Sequence, residues 1–221
     1  TLISGVSKLF PGQWIKYCLK SRKVIESGSV DCRVPFADGS YSESSYQNTM
    51  RKSVERCLTG QRKIGINLSG GFDSSVILHE ASRLGHTART FTTRYDIEEN
   101  IVRYNSDADL AARLSEKYNT CHEEVLIDEK SFADALEDSV NALEQPHANW
   151  NIPAYYLHMK KVSEAGIVVL LGGEGGDEIL AGYNRYKMFF HLMNLIQPDD
   201  DGLIDFFQLA RNIGLKNFLM V

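Results

Sequence analysis

Between Lys63 and Leu171 the chain alternates short apolar runs with amphipathic stretches, and this alternation restricts the fold more than any other feature. Ile64-Gly65-Ile66-Asn67-Leu68 has the length and composition of a buried strand, and residues 88–95, 123–127 and 167–171 repeat the signal. Residues 73–84 place Val76, Ile77, Ala81 and Leu84 on one helical face and stop at Gly85. Further helices are expected over 107–118, over 131–143 with Pro146 closing it, and over 153–165, which opens on Pro153 and ends at Gly166. The run Ile167-Val168-Val169-Leu170-Leu171 is apolar throughout, as a central parallel strand should be. Repeated βα units predict an α/β fold, a doubly wound parallel sheet with helices on both faces and right-handed crossovers. Ligands in such sheets sit beyond the carboxyl ends of the strands. Two glycine-rich loops start there, after Leu68 and after Leu171.

The preceding stretch is different in character. Leu9-Phe10-Pro11-Gly12 marks a turn, residues 14–19 a strand, and Pro35, Asp38 and Gly39 a linker. Tyr46, Met50, Val54, Cys57 and Leu58 then recur at helical spacing up to Gly60. The chain has 221 residues, 43% hydrophobic and 24% charged, which excludes a disordered tail, a collagen-like fibre and a coiled coil. Its 24 Lys and Arg against 29 Asp and Glu leave a net charge of −5, the wrong sign for a general nucleic-acid binder. Cys18, Cys32, Cys57 and Cys121 have no close spacing, so reduced thiols and a cytoplasmic location are expected. No apolar run approaches the ~20 residues that cross a bilayer, so no membrane partner is expected. The chain begins at Thr1 without Met, which suggests a processed chain or a piece of a longer one.

The first loop is Ser69-Gly70-Gly71-Phe72-Asp73-Ser74-Ser75. Two glycines let backbone N–H groups approach an anion, and the next helix adds the partial positive charge of its N-terminus. Ser69, Ser74 and Ser75 offer hydroxyls. Asp73 would repel a bare phosphate, yet it fits if it holds a magnesium ion that phosphates share. The string is neither a Walker A loop nor GxGxxG. The bland alternative is a tight turn in which Asp73 and the serines only cap the helix. The second loop, Gly172-Gly173-Glu174-Gly175-Gly176-Asp177-Glu178, sets four glycines and three carboxylates directly after an apolar strand. Asp177 can supply a second carboxylate opposite Asp73. A merely solvated acidic loop would not explain why a buried strand feeds into it.

SGGFDSS followed by GGEGGDEILAGY resembles the synthetase domain of glutamine-dependent asparagine synthetases and their relatives, β-lactam synthetases included. The first string is similar to the pyrophosphate loop of the wider N-type ATP pyrophosphatase group, whose fold is adenine nucleotide alpha hydrolase-like. The second, continuing Gly182-Tyr183-Asn184-Arg185-Tyr186, is more particular to the asparagine synthetase branch. The resemblance extends from about Gly5 to Lys187; Glu144-Gln145-Pro146 stands where relatives carry an acidic-Pro segment. It implies that 1–40 is the remnant of a glutaminase-like domain plus linker, 41–198 the ATP pyrophosphatase domain, and 199–221 the start of a truncated C-terminal helical part.

The resemblance also implies roles. Ser69, Gly70, Gly71, Asp73, Ser74 and Ser75 would cradle the pyrophosphate of ATP, and Asn67 and Thr93 would lie against adenine and ribose. Gly172 and Gly173 would contact the nucleotide near its α-phosphate, Asp73 and Asp177 would bind Mg2+, and Glu174 would be catalytic, near the reacting acyl group. Three positions depart from the usual pattern: Phe72 replaces Leu, Gly172 replaces Ser, and Ala181 replaces Gly. The implied reaction is adenylation of a carboxylate, aspartate first, then amidation by ammonia from a glutaminase domain or subunit; a homodimer is allowed. No N-terminal Cys serves as a glutaminase nucleophile, and the family's catalytic lysine is expected beyond the chain. Closure of a β-lactam, amidation of another acid, and a nucleotide-binding fragment inactive without further domains remain as alternatives. The histidines form no metal-ligand spacing; His79 and His191 are expected to be surface or half-buried structural residues, and His122, with Glu123 and Glu124, edge polarity at the opening of a strand. Tyr155, Tyr156, His158 and Met159 are expected on a core-facing helix side, and Tyr183, Arg185 and Tyr186 in a local phosphate or packing role.

Overall fold

In a computed structural model, the described residues are 3–31, 42–60, 62–97, 101–145, 148–180 and 182–186. The expectations for Cys32, Pro35, Asp38, Gly39, Pro146, Ala181, Lys187, His191 and 199–221 lie outside them. The first element is an antiparallel ribbon of β1 (Gln13–Cys18) and β2 (Lys23–Ser29). Trp14 pairs with Gly28, where a Cβ would come within 2.8 Å of the indole. The missing side chain lets the ring lie flat across the strands.

Four strands form a separate parallel sheet: β3 (Ile64–Asn67), β4 (Arg89–Tyr95), β5 (Cys121–Ile127) and β6 (Val169–Leu171), in the order β5-β4-β3-β6. The helices are α1 (Glu43–Cys57), α2 (Phe72–Arg83), α3 (Ile101–Tyr118), α4 (Glu129–Leu143), α5 (Ile152–Glu164) and the short α6 (Gly176–Leu180). One core joins Ile66 and Leu68 of β3 to Val54, Leu78, Ala81 and Ala111 of α1, α2 and α3. The other joins Val125 and Ile127 of β5 to Ala154 of α5, with Tyr95, Phe132 and Leu157 packed around it. Helices therefore cover both faces of a parallel sheet, the architecture expected from the alternating pattern. Because β6 returns to the far side of β3, the strand order reverses between them. That reversal opens a crevice at the carboxyl ends of β3 and β6, where both glycine-rich loops emerge.

Several elements differ from the sequence expectation: β2 and α6 are absent from it, and β5 starts two residues before position 123. The run 167–171 contributes only a three-residue strand, and β6 pairs with β3 alone among the described residues, leaving Val168 63% exposed at an edge. Helix α3 begins six residues before position 107, and within the added turns Asn105 is buried against the end of β4. The Asn105 side chain receives the Tyr95 N–H and donates to the Tyr95 carbonyl, both at 2.8 Å. Helix α4 starts at Glu129: Asp128 is its cap, accepting from the Ser131 N–H at 2.6 Å, while the Ser131 hydroxyl accepts from the Asp128 N–H. Among the described residues Cys18, Cys57 and Cys121 are free thiols, and no helix is long and apolar enough to cross a membrane.

Candidate functional site

The loop after β3 is pinned by its own serines. The buried Ser74 hydroxyl accepts from the Ser69 N–H at 3.3 Å and lies 3.1 Å from the Ser69 hydroxyl. Ser74 and Ser75 both donate to the Gly71 carbonyl, at 3.2 and 2.6 Å. Gly71 caps α2 with no side-chain bond, so the first-turn N–H groups keep their anion-binding capacity. The capping alternative fails here, since neither Asp73 nor a serine caps the helix. Gly70 has φ +73, and a Cβ there would come within 2.5 Å of Leu110 Cβ and 2.9 Å of the Asp107 carbonyl. Only glycine lets this loop adopt that backbone and lie against α3.

The second loop closes over the first. A Cβ at Gly173 would lie 2.7 Å from Asp73 Cβ and 3.0 Å from the Ser74 nitrogen, and one at Gly176 would overlap the Asp73 carboxylate. These glycines are empty of side chain because Asp73 occupies the space. Asp73 and Asp177 face each other as electrostatic neighbours. The Asp73 carboxyl is held above its ordinary pKa by burial first, then by Asp177 and Glu178. Gly182 clears the Asp177 carboxylate in the same way. Glu178 accepts from the Tyr183 hydroxyl at 3.1 Å, and Arg185 stacks 4.0 Å from the centre of the Tyr183 ring and 5.4 Å from that of Tyr186. The three residues thus pack on one another.

Glu174 is exposed and folds back over Gly172, its carboxylate filling the space a side chain at 172 would need. A cleft of about 220 Å³ runs beside Asp73, walled by Tyr46, Met50, Val76, Ile77 and the glycine loop. Asn67 ends β3, paired to Phe91 of β4. Thr93 stands two residues before the end of β4, with its hydroxyl 3.0 Å from Nδ1 of His158. The imidazole is 3% exposed, and burial pushes its pKa down.

Of the residues singled out from sequence, the structure gathers Ser69, Gly70, Gly71, Asp73, Ser74, Ser75, Gly172, Gly173, Glu174 and Asp177 at the crevice. Thr93 is turned toward α5 instead. Sequence reasoning missed the clearing roles of Gly176 and Gly182, although both stand within the glycine-rich string. It also placed Tyr155 in the core, whereas it is 53% exposed. Among the described residues no three His, Cys, Asp or Glu side chains form a metal cluster. The Asp73/Asp177 pair nonetheless fits magnesium, which takes one or two carboxylates and completes its shell with water and substrate phosphates. Asp73, partly buried and raised in proton affinity beside the Asp177 and Glu178 carboxylates, presents the crowding that a divalent cation relieves.

The asparagine synthase family profile matches residues 45–211. A probable glutamine-hydrolyzing asparagine synthetase of Schizosaccharomyces pombe is 30% identical over 152 residues, 62% of this chain and 27% of that protein. The glutamine-hydrolyzing asparagine synthetase 2 of Arabidopsis thaliana is 28% identical over 159 residues, 68% of this chain and 26% of its own length. The chain therefore spans about a quarter of these relatives. Among solved structures, NMN synthetase from Francisella tularensis is similar with a TM-score of 0.41 and 16% identity, over 59% of this chain and 54% of that one.

Proposed function

The chain belongs to the asparagine synthase family, and from that premise we propose that it is the ATP-binding core of an ATP-dependent amide-forming ligase. The observation that carries the reading is the packing of Gly173 and Gly176 onto Asp73, which joins the two loops at the strand-order reversal. ATP is the first substrate. Its pyrophosphate lies on the loop of Ser69, Gly70, Gly71, Ser74 and Ser75, where backbone N–H groups and the α2 terminus receive negative charge. Asn67, at the end of β3, borders the adenosine side, Thr93 contributes only through the His158 contact that orders the end of β4, and Gly172 and Gly173 leave room beside the α-phosphate. Asp73 and Asp177 would hold Mg2+, which when bound neutralises charge on the departing pyrophosphate.

A carboxylate oxygen of the second substrate, aspartate in the first instance, attacks the α-phosphorus. The bond to pyrophosphate breaks and an acyl-AMP forms. Ammonia then attacks the acyl carbonyl, losing a proton, and AMP leaves with the former carboxylate oxygen. Glu174 orients the acyl group or moves that proton. The chain's own contribution is positioning and electrostatic stabilisation, by rigid loops on strand ends. Residues 1–40 are the end of a glutaminase-like domain that delivers ammonia, 41–198 the nucleotide domain, and 199–221 the start of the part that completes the acyl pocket. The acidic charge and free thiols fit a cytoplasmic enzyme, and a homodimer is compatible with this arrangement.

ATP–pyrophosphate exchange on the full chain, with aspartate and a panel of other carboxylic acids, tests the reading. Exchange with aspartate, abolished by Asp73→Ala, is the expected result. Retained exchange in that variant would sink the loop assignment, and exchange only with another acid would move the substrate while keeping the chemistry. ATP binding with no exchange would make the chain a nucleotide-binding part that works only with further domains.

A further inference from the structure

A second, larger cleft of about 1100 Å³ opens beyond the carboxyl ends of β4 and β5, away from the glycine loops. Its rings come from four separate segments: Tyr95 at the end of β4, Tyr104 of α3, Phe132 of α4 and Trp150 before α5. Tyr95 and Tyr104 meet edge to face, with centroids 6.3 Å apart, so the two walls are fixed relative to each other. Asn105 locks the Tyr95 backbone from below. Trp150 is 69% exposed at this cleft. Structural packing does not require so large an apolar surface in water beside an open cavity.

The charges around these rings have one prevailing sign. Among the described residues, Asp96, Asp128 and Glu129 line the cleft against Lys130 as the single basic lining residue. Asp128 stays ionised, because Ser131 holds its carboxyl below the usual range. Aromatic faces attract cations through their quadrupole, and fixed carboxylates add to that attraction. A dicarboxylate or a phosphate would meet the same carboxylates as repulsion. Nothing in the proposed nucleotide chemistry uses this cleft, so it stands independently of that reading.

We propose that this aromatic, acid-lined cleft binds an organic ammonium, a primary amine attached to a flat or apolar body. The rings take the body and the carboxylates take the charge. Three probes of the same ring separate the two contributions: tyramine, uncharged p-cresol and anionic 4-hydroxyphenylpropionate, each titrated calorimetrically into the full chain. Tyramine should bind about tenfold more tightly than the other two. The double variant Asp96→Asn, Glu129→Gln should weaken tyramine toward the level of p-cresol, with Asp128 still in place, and leave p-cresol unchanged. Trp150→Ala should weaken both. Asp73→Ala should leave tyramine binding intact, so loss of nucleotide chemistry and loss of amine binding are read separately. Equal affinity for tyramine and 4-hydroxyphenylpropionate, or tyramine binding indifferent to Trp150→Ala, would overturn the proposal. Because the ligand series is run on the unaltered protein, the ranking of the three probes does not depend on any variant folding.

Discussion

Asp73 bears a charge that its surroundings oppose on balance. As a first-turn carboxylate of α2 it gains from the helix terminus, an effect worth about 0.3–1 kcal/mol. Its raised pKa shows that burial and the neighbouring Asp177 and Glu178 outweigh that gain. Folding therefore binds the proton more tightly, and stability declines as pH rises through the window above the ordinary value of 3.8. Asp73→Asn should accordingly leave the ligand-free protein as stable or more stable by up to about 1 kcal/mol, while pyrophosphate exchange disappears. Urea unfolding at neutral pH beside the exchange assay checks both, and a clear loss of stability would contradict the balance drawn here. The glycines facing this carboxylate make a sharper case. Gly173→Ala must displace the Asp73 Cβ and the backbone nitrogen of Ser74, neither of which is a flexible side-chain tip. A shift approaching 1 Å in a positioning loop lowers turnover by about a hundredfold, which exchange rates at saturating ATP would register. Gly172→Ser meets only the mobile end of Glu174, so its effect on the same rate should be much smaller.

Helix α1 is tied to α2 by Val54 in the core and by an ion triad. Glu80 is almost fully buried between Arg51 of α1 and Arg83 of α2, each 3.4 Å away. The Arg51 Nε and Glu80 Oε2 pair has the charge contact without hydrogen-bond geometry, so the triad offsets desolvation incompletely. Arg51→Ala should destabilise by about 1–3 kcal/mol, because it leaves a buried carboxylate with one partner, whereas the double change Arg51→Met, Glu80→Met should be close to neutral. Denaturant midpoints of the two variants decide between an ion-pair contribution and simple packing. Strands β3 and β4 and helices α2 and α5 were legible in the sequence because their apolar periodicity reports burial directly. The start of α3 was not, since a buried Asn105 looks like a surface polar residue until its tertiary partner, the Tyr95 backbone, is known. For β6 composition misled: five apolar residues suggest a central strand, but pairing depends on where the crossover returns. The loops that form the site were legible as strings, whereas the turning of Thr93 toward His158 depends on which face of β4 meets α5.

At the scale of the whole molecule, a four-stranded sheet is held between helix layers, and the two clefts share its carboxyl edge. The nucleotide loops emerge at the β3/β6 reversal and the aromatic cleft over β4 and β5, so both rest on the same interior. Two half-satisfied histidines, the buried His158 and the partly buried His122, sit at that sheet. His158 bonds Thr93 through Nδ1, His122 bonds Thr90 at 2.8 Å, and Nε2 of each is buried without a hydrogen-bond partner among the described residues. Burial depresses both pKa values. For His122, Glu124 opposes that shift and Arg94 adds to it. A base whose folded pKa is depressed keeps its full stability above the unfolded value of 6.5 and loses it as pH falls from there toward the folded value. Each histidine can contribute a slope of at most about 1.4 kcal/mol per pH unit. Asp73 acts in the opposite direction, though in the lower carboxylate range. The fold should thus weaken measurably between pH 7 and pH 5 through loss of sheet-to-helix packing on the interior that supports both clefts. Urea midpoints across that range should fall for the unaltered chain and flatten in His122→Gln, His158→Gln. A midpoint in the unaltered chain that does not move would mean that both imidazoles accept protons without leaving their pockets.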